Sequence, residues 1–215
     1  MARPLFITFE GLDGSGKSSH LRRTEEWLAA AGVVFARTHE PGGTPLGEAI
    51  RGVFLDKRWG AVDGTVELLL VFASRRQHLV EVIDPALARG EHVLCDRFTD
   101  STLAYQGAGR GVPRPLIDQV DQLATGLRRP DRTLLFDLPP EVARERGQRD
   151  RHGKTGTDRL DDEALGFYRR VREGFLSLAQ AEPGRFVVID SSGPAEHTEN
   201  AVRRALADLL PGAGP

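Results

Sequence analysis

The 215-residue sequence holds a single cysteine, Cys95, so an intrachain disulfide and a multi-thiolate metal site are both excluded and a reducing compartment is the expected setting. It has no run of about 18 apolar residues, the length a membrane-spanning helix needs. Its opening Met-Ala-Arg-Pro leads straight into a strand-like run without the apolar core of a secretion signal. Positive charge is not in excess: 29 Lys and Arg face 31 Asp and Glu, a net charge of −2. That removes the general basic field that would draw the chain to nucleic acid or to an anionic membrane. The six histidines, at 20, 39, 78, 92, 152 and 197, show no metal-ligand spacing. The expectation is one cytoplasmic domain over 1–215, large enough to bury a core without disulfides, with neither nucleic acid nor membrane as partner.

What is present starts with Gly11-Leu12-Asp13-Gly14-Ser15-Gly16-Lys17-Ser18, a Gly-x-x-x-x-Gly-Lys-Ser string. It follows the apolar run 4–9 and precedes a helix-patterned stretch over 19–31. In a strand-loop-helix setting the glycines let backbone N–H groups turn inward on phosphates, Lys17 adds charge, and the Ser18 hydroxyl can ligate a phosphate-bound Mg²⁺. A bound nucleoside triphosphate is the reading.

Apolar runs of strand length recur at 5–9, 33–36, 92–95, 133–138 and 186–189. Helix-patterned segments separate them, at 18–31, 44–55, 64–89 with a candidate break at Pro85, 113–127, 140–149, 161–182 and 195–210. Alternation of this kind predicts an α/β fold with a parallel sheet covered on both faces. Gly32 and Gly90 stand just before strands, where helix C-terminal glycines belong. The polar stretch Asp150–Asp158 has too few apolar residues to pack, so it reads as a surface loop and a candidate lid over about 144–159.

Further strings gather where strands end. Asp96-Arg97 follows the run 92–95, at the carboxyl edge where α/β folds bind ligands. Glu40-Pro41-Gly42-Gly43-Thr44 reads as a tight turn with Thr44 as helix cap, and Arg37 and Glu40 add polar groups at a second strand end. Phe72, Arg75 and Arg76 share a helix face, which suits a base stacked on a ring and read by a guanidinium. Taken alone it equally describes a core Phe with two solvated arginines. Ser101, Thr102, Tyr105 and Gln106 cluster hydroxyls and an amide behind Asp96-Arg97. Arg144, Arg146, Arg149, Arg151 and Arg159 surround the polar loop, from which a guanidinium can reach a transferring phosphoryl group.

Together the strings at 9–18, 40–44, 73–76 (Ala-Ser-Arg-Arg), 95–98 (Cys-Asp-Arg-Phe), 100–107 (Asp-Ser-Thr-Leu-Ala-Tyr-Gln-Gly) and 158–161 (Asp-Arg-Leu-Asp) resemble bacterial-type thymidylate kinases, in the right order over nearly the whole chain. The resemblance implies a P-loop nucleoside monophosphate kinase fold, with a five-stranded parallel sheet flanked by helices on both faces. It implies a homodimer joined through the long helix 64–89, and transfer of the γ-phosphoryl of Mg-ATP to dTMP on the way to dTTP. By the same likeness the loop 11–18 binds ATP, while Arg37, Glu40, Arg51 and Arg97 surround the acceptor phosphate. Ser101, Thr102, Tyr105 and Gln106 contact base and deoxyribose, with Tyr105 guarding against a 2′-hydroxyl. The sequence departs from the family's pattern in one place. The likeness implies that Arg75 hydrogen-bonds the thymine edge, but the residue four before it is Val71 and not an aromatic, so either Phe72 stacks on a slightly rotated helix or Arg76 reads the base with Phe72 at the family spacing. Asp13, standing where other relatives carry arginine, resembles the subclass whose catalytic arginine comes from the lid, here Arg146, Arg149 or Arg151.

A phosphate monoester is already anionic at neutral pH, so the reaction needs charge neutralisation more than a general base. Lys17, Arg97 and lid arginines are the expected catalytic cations. Ser18, Glu10 and Asp96 are the expected groups about the metal and its waters, with Asp96 also orienting Arg97. A kinase acting on dUMP or another monophosphate, a nucleotide switch and a DNA-dependent ATPase are the competing readings. The missing Asn-Lys-x-Asp string speaks against the switch and the acidic net charge against the last.

Overall fold

The computed structural model describes residues 3–150 and 159–210. Strands β1 (Phe6–Gly11), β2 (Phe35–His39), β3 (His92–Asp96), β4 (Arg132–Asp137) and β5 (Phe186–Asp190) form one sheet in the order β2-β3-β1-β4-β5. Every pairing is parallel. β1 is central and buried along its whole length, as a strand covered on both faces must be. Phe9 and His39 both pair with Asp96. The carboxyl ends of β1, β2 and β3 are therefore level, and the segments that follow them open into one crevice.

Helices α1 (Lys17–Ala30), α2 (Pro45–Leu55), α3 (Gly64–His78), α4 (Asp84–Ala88), α5 (Thr99–Thr102), α6 (Arg114–Thr125), α7 (Pro140–Asp150), α8 (Leu165–Ala181) and α9 (Ala195–Ala207) cover the sheet. Thr44 caps α2 by accepting the Gly47 N–H at 2.9 Å, and Asp63 caps α3 by accepting that of Thr65 at 2.8 Å; each such cap is worth about 1 kcal/mol. Gly32 and Gly90 sit at φ +72° and +82° after α1 and α4, in the left-handed region that ends helices.

Three boundaries differ from the sequence reading. The 64–89 run is not broken at Pro85: α3 passes through a π-helical stretch, Leu79–Ile83, into α4, and this widened stretch lies directly before Pro85, which has no N–H to donate. The 161–182 segment divides into a 3₁₀ turn, Arg159–Asp162, followed by α8. The stretch after Arg97, for which no helix was expected, is helical: α5 continues as a π-helix over Leu103–Gly109.

On one face of the sheet Ile7, Phe9, Leu134 and Phe136 pack against Leu21, Trp27, Val202 and Leu206 of α1 and α9. On the other, Leu68, Phe72, Tyr105, Phe167 and Phe175 join α3, α5 and its continuation, and α8. Full burial of each large apolar side chain contributes roughly 1.5–3 kcal/mol. Cys95 is buried in β3. No helix among the described residues is long and apolar enough to cross a membrane.

Candidate active site

The loop after β1 is held by its own backbone: Leu12 O accepts from Ser15 N at 3.1 Å and from Lys17 Nζ at 2.9 Å. Gly14 is at φ +81°, and a Cβ there would lie 2.0 Å from Ala143 O of α7. Only glycine lets the loop approach α7 this closely. Burial first, then the charge of Arg97, push the Lys17 ammonium below its ordinary pKa, while Asp13, Asp96 and Glu10 oppose the shift. Two cations crowded at a helix N-terminus form a site that an anion relieves.

Arg97 takes φ +72°, a conformation costly for a residue with a side chain and characteristic of functional sites. Its guanidinium donates to Gly11 O at 3.0 Å, Ser101 Oγ at 2.9 Å and Asp13 Oδ1 at 2.6 Å. Ser101 Oγ in turn lies 2.5 Å from Glu10 Oε2, and Glu10 Oε1 accepts the Phe98 N–H at 2.7 Å. This corrects the expectation for Glu10. It lies within the central strand and is fully buried, so it braces the turn that carries Arg97 and does not face a metal. Burial, and secondly the nearby Asp100 carboxylate, raise its pKa to about 8.

Two cavities meet at Asp13, Glu40, Arg51 and Arg97. One is polar and carries Lys17, Ser18, Arg37 and Asp96. The other is walled by Phe54, Leu55, Val71, Phe98, Tyr105 and Leu160, with Arg75, Ser101, Thr102 and Gln106 supplying its polar groups. A basin for charge thus adjoins a pocket for an aromatic ring. Ser18 Oγ donates to Asp96 Oδ2 at 2.8 Å, and Asp96 Oδ1 is buried without a hydrogen-bond partner.

Arg75 lies at the floor of the pocket, 2% exposed. Its Nε donates to Glu40 Oε2 at 2.6 Å and its Nη2 to Thr102 Oγ1 at 3.1 Å, whereas Nη1 is buried with no partner. Glu40 also accepts from His78 Nδ1 at 2.8 Å. Phe72 does not line the pocket; it lies under the Arg75 guanidinium at 4.6 Å, with Phe98 at 5.0 Å. The ring and the guanidinium do stack, but on each other. Arg76 is exposed and turned toward Ala124 O of α6, 3.4 Å away. The Phe72 and Arg76 roles fail on helix phase while Arg75 keeps its place in the pocket: Val71 and Arg75, one turn apart, share the pocket face.

Arg51 lines both cavities and donates to Pro41 O at 3.0 Å. Arg37 lines the polar basin while paired with Glu25 at 2.9 Å. The structure brings neither Arg146 nor Arg149 to the basin. Arg146 donates to Ser191 O and Ser192 O at 2.7 and 2.8 Å beyond β5, and Arg149 is exposed and paired with Glu145. These two carbonyls of the turn after β5 hold the Arg146 guanidinium away from the basin's lining residues. Arg151 and the loop over 151–158 lie outside the described residues.

Sequence reasoning missed Glu67, Arg110 and His78, and read Arg159 only as one of the loop arginines. Glu67 is fully buried, and Arg159 Nη1 donates to it at 2.6 Å. The signal was a lone carboxylate before the apolar run Leu68-Leu-Leu-Val71.

A family model described as thymidylate kinase matches residues 9–202. The thymidylate kinase of Paraburkholderia phytofirmans is 46% identical over 213 residues, 97% of this chain and 100% of that protein. That of Geobacter sulfurreducens is 48% identical over 208 residues, 96% and 98% of the two chains. The crystal structure of thymidylate kinase from Ehrlichia chaffeensis superposes with a TM-score of 0.73 at 35% identity, covering 94% of this chain and 98% of that one.

Proposed function

Because the chain belongs to the thymidylate kinase family, we propose that its two cavities divide the reaction between them, the polar basin taking the phosphates and the apolar pocket the thymine ring. The chain phosphorylates dTMP to dTDP with ATP, the step that leads toward dTTP. The observation that carries the assignment of the base is Arg75 Nη1, a buried charged donor without a partner in an apolar pocket. A carbonyl oxygen of the ring satisfies it, and leaving it unmet is costly. Ser101, Thr102 and Gln106 line the rest of the pocket, and Tyr105 is assigned the exclusion of a 2′-hydroxyl.

The loop over 11–18 cradles the donor triphosphate through its backbone N–H groups, with Lys17 as fixed cation. Arg97, at the junction of the two cavities and held by Asp13, Gly11 and Ser101, draws the acceptor phosphate toward the donor, with Arg51 and Arg37 beside it. Holding two anions in line is the main part of catalysis here. Ser18 and Asp96 fit Mg²⁺: one hydroxyl and one carboxylate with a buried, unpartnered oxygen offer hard oxygen donors. When bound, the metal supplies charge neutralisation on the phosphate oxygens. Glu40 fixes Arg75 and belongs to the base pocket more than to the phosphate.

We extend the proposal to a single working domain, a lid near 144–159, a cytoplasmic setting and a homodimer. The dimer is supported by Val66, Leu69 and Val80 of the α3–α4 run and Leu123 of α6, which are 47%, 54%, 51% and 86% exposed, an apolar patch of the kind that marks an interface. Isothermal titration of dTMP and thymidine into wild type and Arg97→Met tests the phosphate assignment. The preference for dTMP is expected to collapse in the variant, and an unchanged preference would remove Arg97 from that role.

A further inference from the structure

Glu67, in the first turn of α3, is a carboxylate with no solvent exposure. Its oxygens accept from Arg159 Nη1 at 2.6 Å, from Arg110 Nε at 3.2 Å and from Gln106 Nε2 at 3.0 Å. Arg110 Nη2 adds an ion pair at 3.0 Å. A carboxylate paired with two guanidinium groups can only accept. The amide orientation of Gln106 is thereby fixed, since the reverse would set its carbonyl oxygen 3.0 Å from a carboxylate oxygen with no proton between them. With one Nε2 proton committed to Glu67, the carbonyl Oε1 is the acceptor that Gln106 has left for the pocket it lines.

We propose that Glu67 is a specificity-determining positioning residue, which orients the Gln106 amide so that the pocket accepts a ring N–H beside the carbonyl oxygen met by Arg75. This rests on the reading that the base lies against Arg75. A thymine edge presents a carbonyl oxygen and the adjacent N3–H. A cytosine edge presents an amino group and a bare ring nitrogen, the opposite pattern at both positions. Arg75 donates and Gln106 accepts, so cytosine meets donor against donor and acceptor against acceptor. Sites that leave polar groups unmet in this way reject the wrong ligand far more strongly than apolar pockets do.

The test compares kcat/KM for dTMP and dCMP in wild type, Glu67→Gln, Glu67→Asp and Arg110→Met. Glu67→Gln replaces an obligate acceptor with an amide that can donate or accept, so Gln106 is free to turn. The dTMP-to-dCMP ratio is expected to fall at least tenfold, while Glu67→Asp, still an acceptor, holds the ratio within about threefold. Arg110→Met weakens the same cluster without touching the Gln106 contact, and it is expected to keep the ratio. Equal losses on both substrates in Glu67→Gln, or a fall in ratio in Arg110→Met as large as that in Glu67→Gln, would make Glu67 merely structural and overturn the proposal. Nuclear magnetic resonance of the wild-type Gln106 side-chain amide needs no variant. Its N–H protons are expected to be protected before dTMP is added and to stay so afterward, and loss of that protection on binding would overturn the orientation. Arg75→Lys, which keeps the charge beside Glu40, tests the underlying reading separately: if dTMP KM is unaffected there, the base-pocket assignment fails whatever Glu67 does.

Discussion

Replacing Arg75 with lysine keeps a positive charge beside Glu40 and removes the guanidinium Nη1 that has no partner in the apolar pocket. The Arg75 side chain is 3% exposed, so water cannot substitute for the lost donor. A hydrogen bond from a charged donor is worth about 1.5–3 kcal/mol. At about 1.4 kcal/mol per factor of ten, kcat/KM for dTMP should fall roughly 10- to 150-fold. The contact is made equally in the ground and transition states, so the loss should appear mostly in KM. Alanine is the poorer choice. It leaves Glu40, 2% exposed, facing only His78, and breaking a buried pair costs about 3–5 kcal/mol of stability. Arg76→Ala is the matched control: an exposed side chain outside the pocket should change stability by under about 0.5 kcal/mol and kcat/KM by under about threefold. A coupled ADP-release assay beside thermal melting reads both quantities. Raised KM in Arg76→Ala with Arg75→Lys unaffected would refute the reasoning.

Asp96→Asn should lower kcat without removing a limb of the pH profile, since Asp96 positions Ser18 and metal rather than taking a proton; a lost limb in the pH–rate curve would argue for base catalysis. Glu10 has a folded-state pKa raised from 4.5 to about 8, so its contribution to stability is full below about 4.5 and is lost progressively as pH rises to about 8. Denaturant titrations of wild type and Glu10→Gln over that range should therefore converge in slope only outside it, and identical pH dependence throughout would contradict the burial argument. Leu69→Glu with Leu123→Glu should turn a dimer into monomers in sedimentation velocity, because both side chains are more than half exposed on the apolar patch; an unchanged sedimentation coefficient would move the interface elsewhere.

The strands and the phosphate loop were legible because their causes are local. A parallel strand covered on both faces is a continuous apolar run, and the loop's glycines answer to backbone conformations at Gly14 and Gly16 that other residues rarely adopt. The helix over 99–109 was not legible, since its polar residues and Gly107 and Gly109 give no amphipathic pattern. Its support is tertiary: Glu10 holds Ser101, and Arg185 and Thr133 hold Asp100. Glu10 was expected about the metal and its waters because the strand run was read as ending at Phe9, whereas β1 continues to Gly11 along β4 and Glu10 is buried there. The choice between Arg75 and Arg76 as base reader turned on helix phase, which a sequence offset of one residue cannot decide. Glu67 and Gln106 are 39 residues apart, so no spacing rule connects them.

The central claim is that one pocket reads a thymine ring while the adjoining basin transfers a phosphoryl group to the attached phosphate. It is tested most directly by ADP release with Mg-ATP against dTMP, dUMP, dCMP, dGMP, UMP and thymidine. The account predicts clear preference for dTMP, a modest deficit for dUMP of about 1–3 kcal/mol for the missing methyl, weak turnover of dCMP and none of thymidine. ADP release that does not depend on an acceptor, or a preference for dCMP or dGMP, would contradict it.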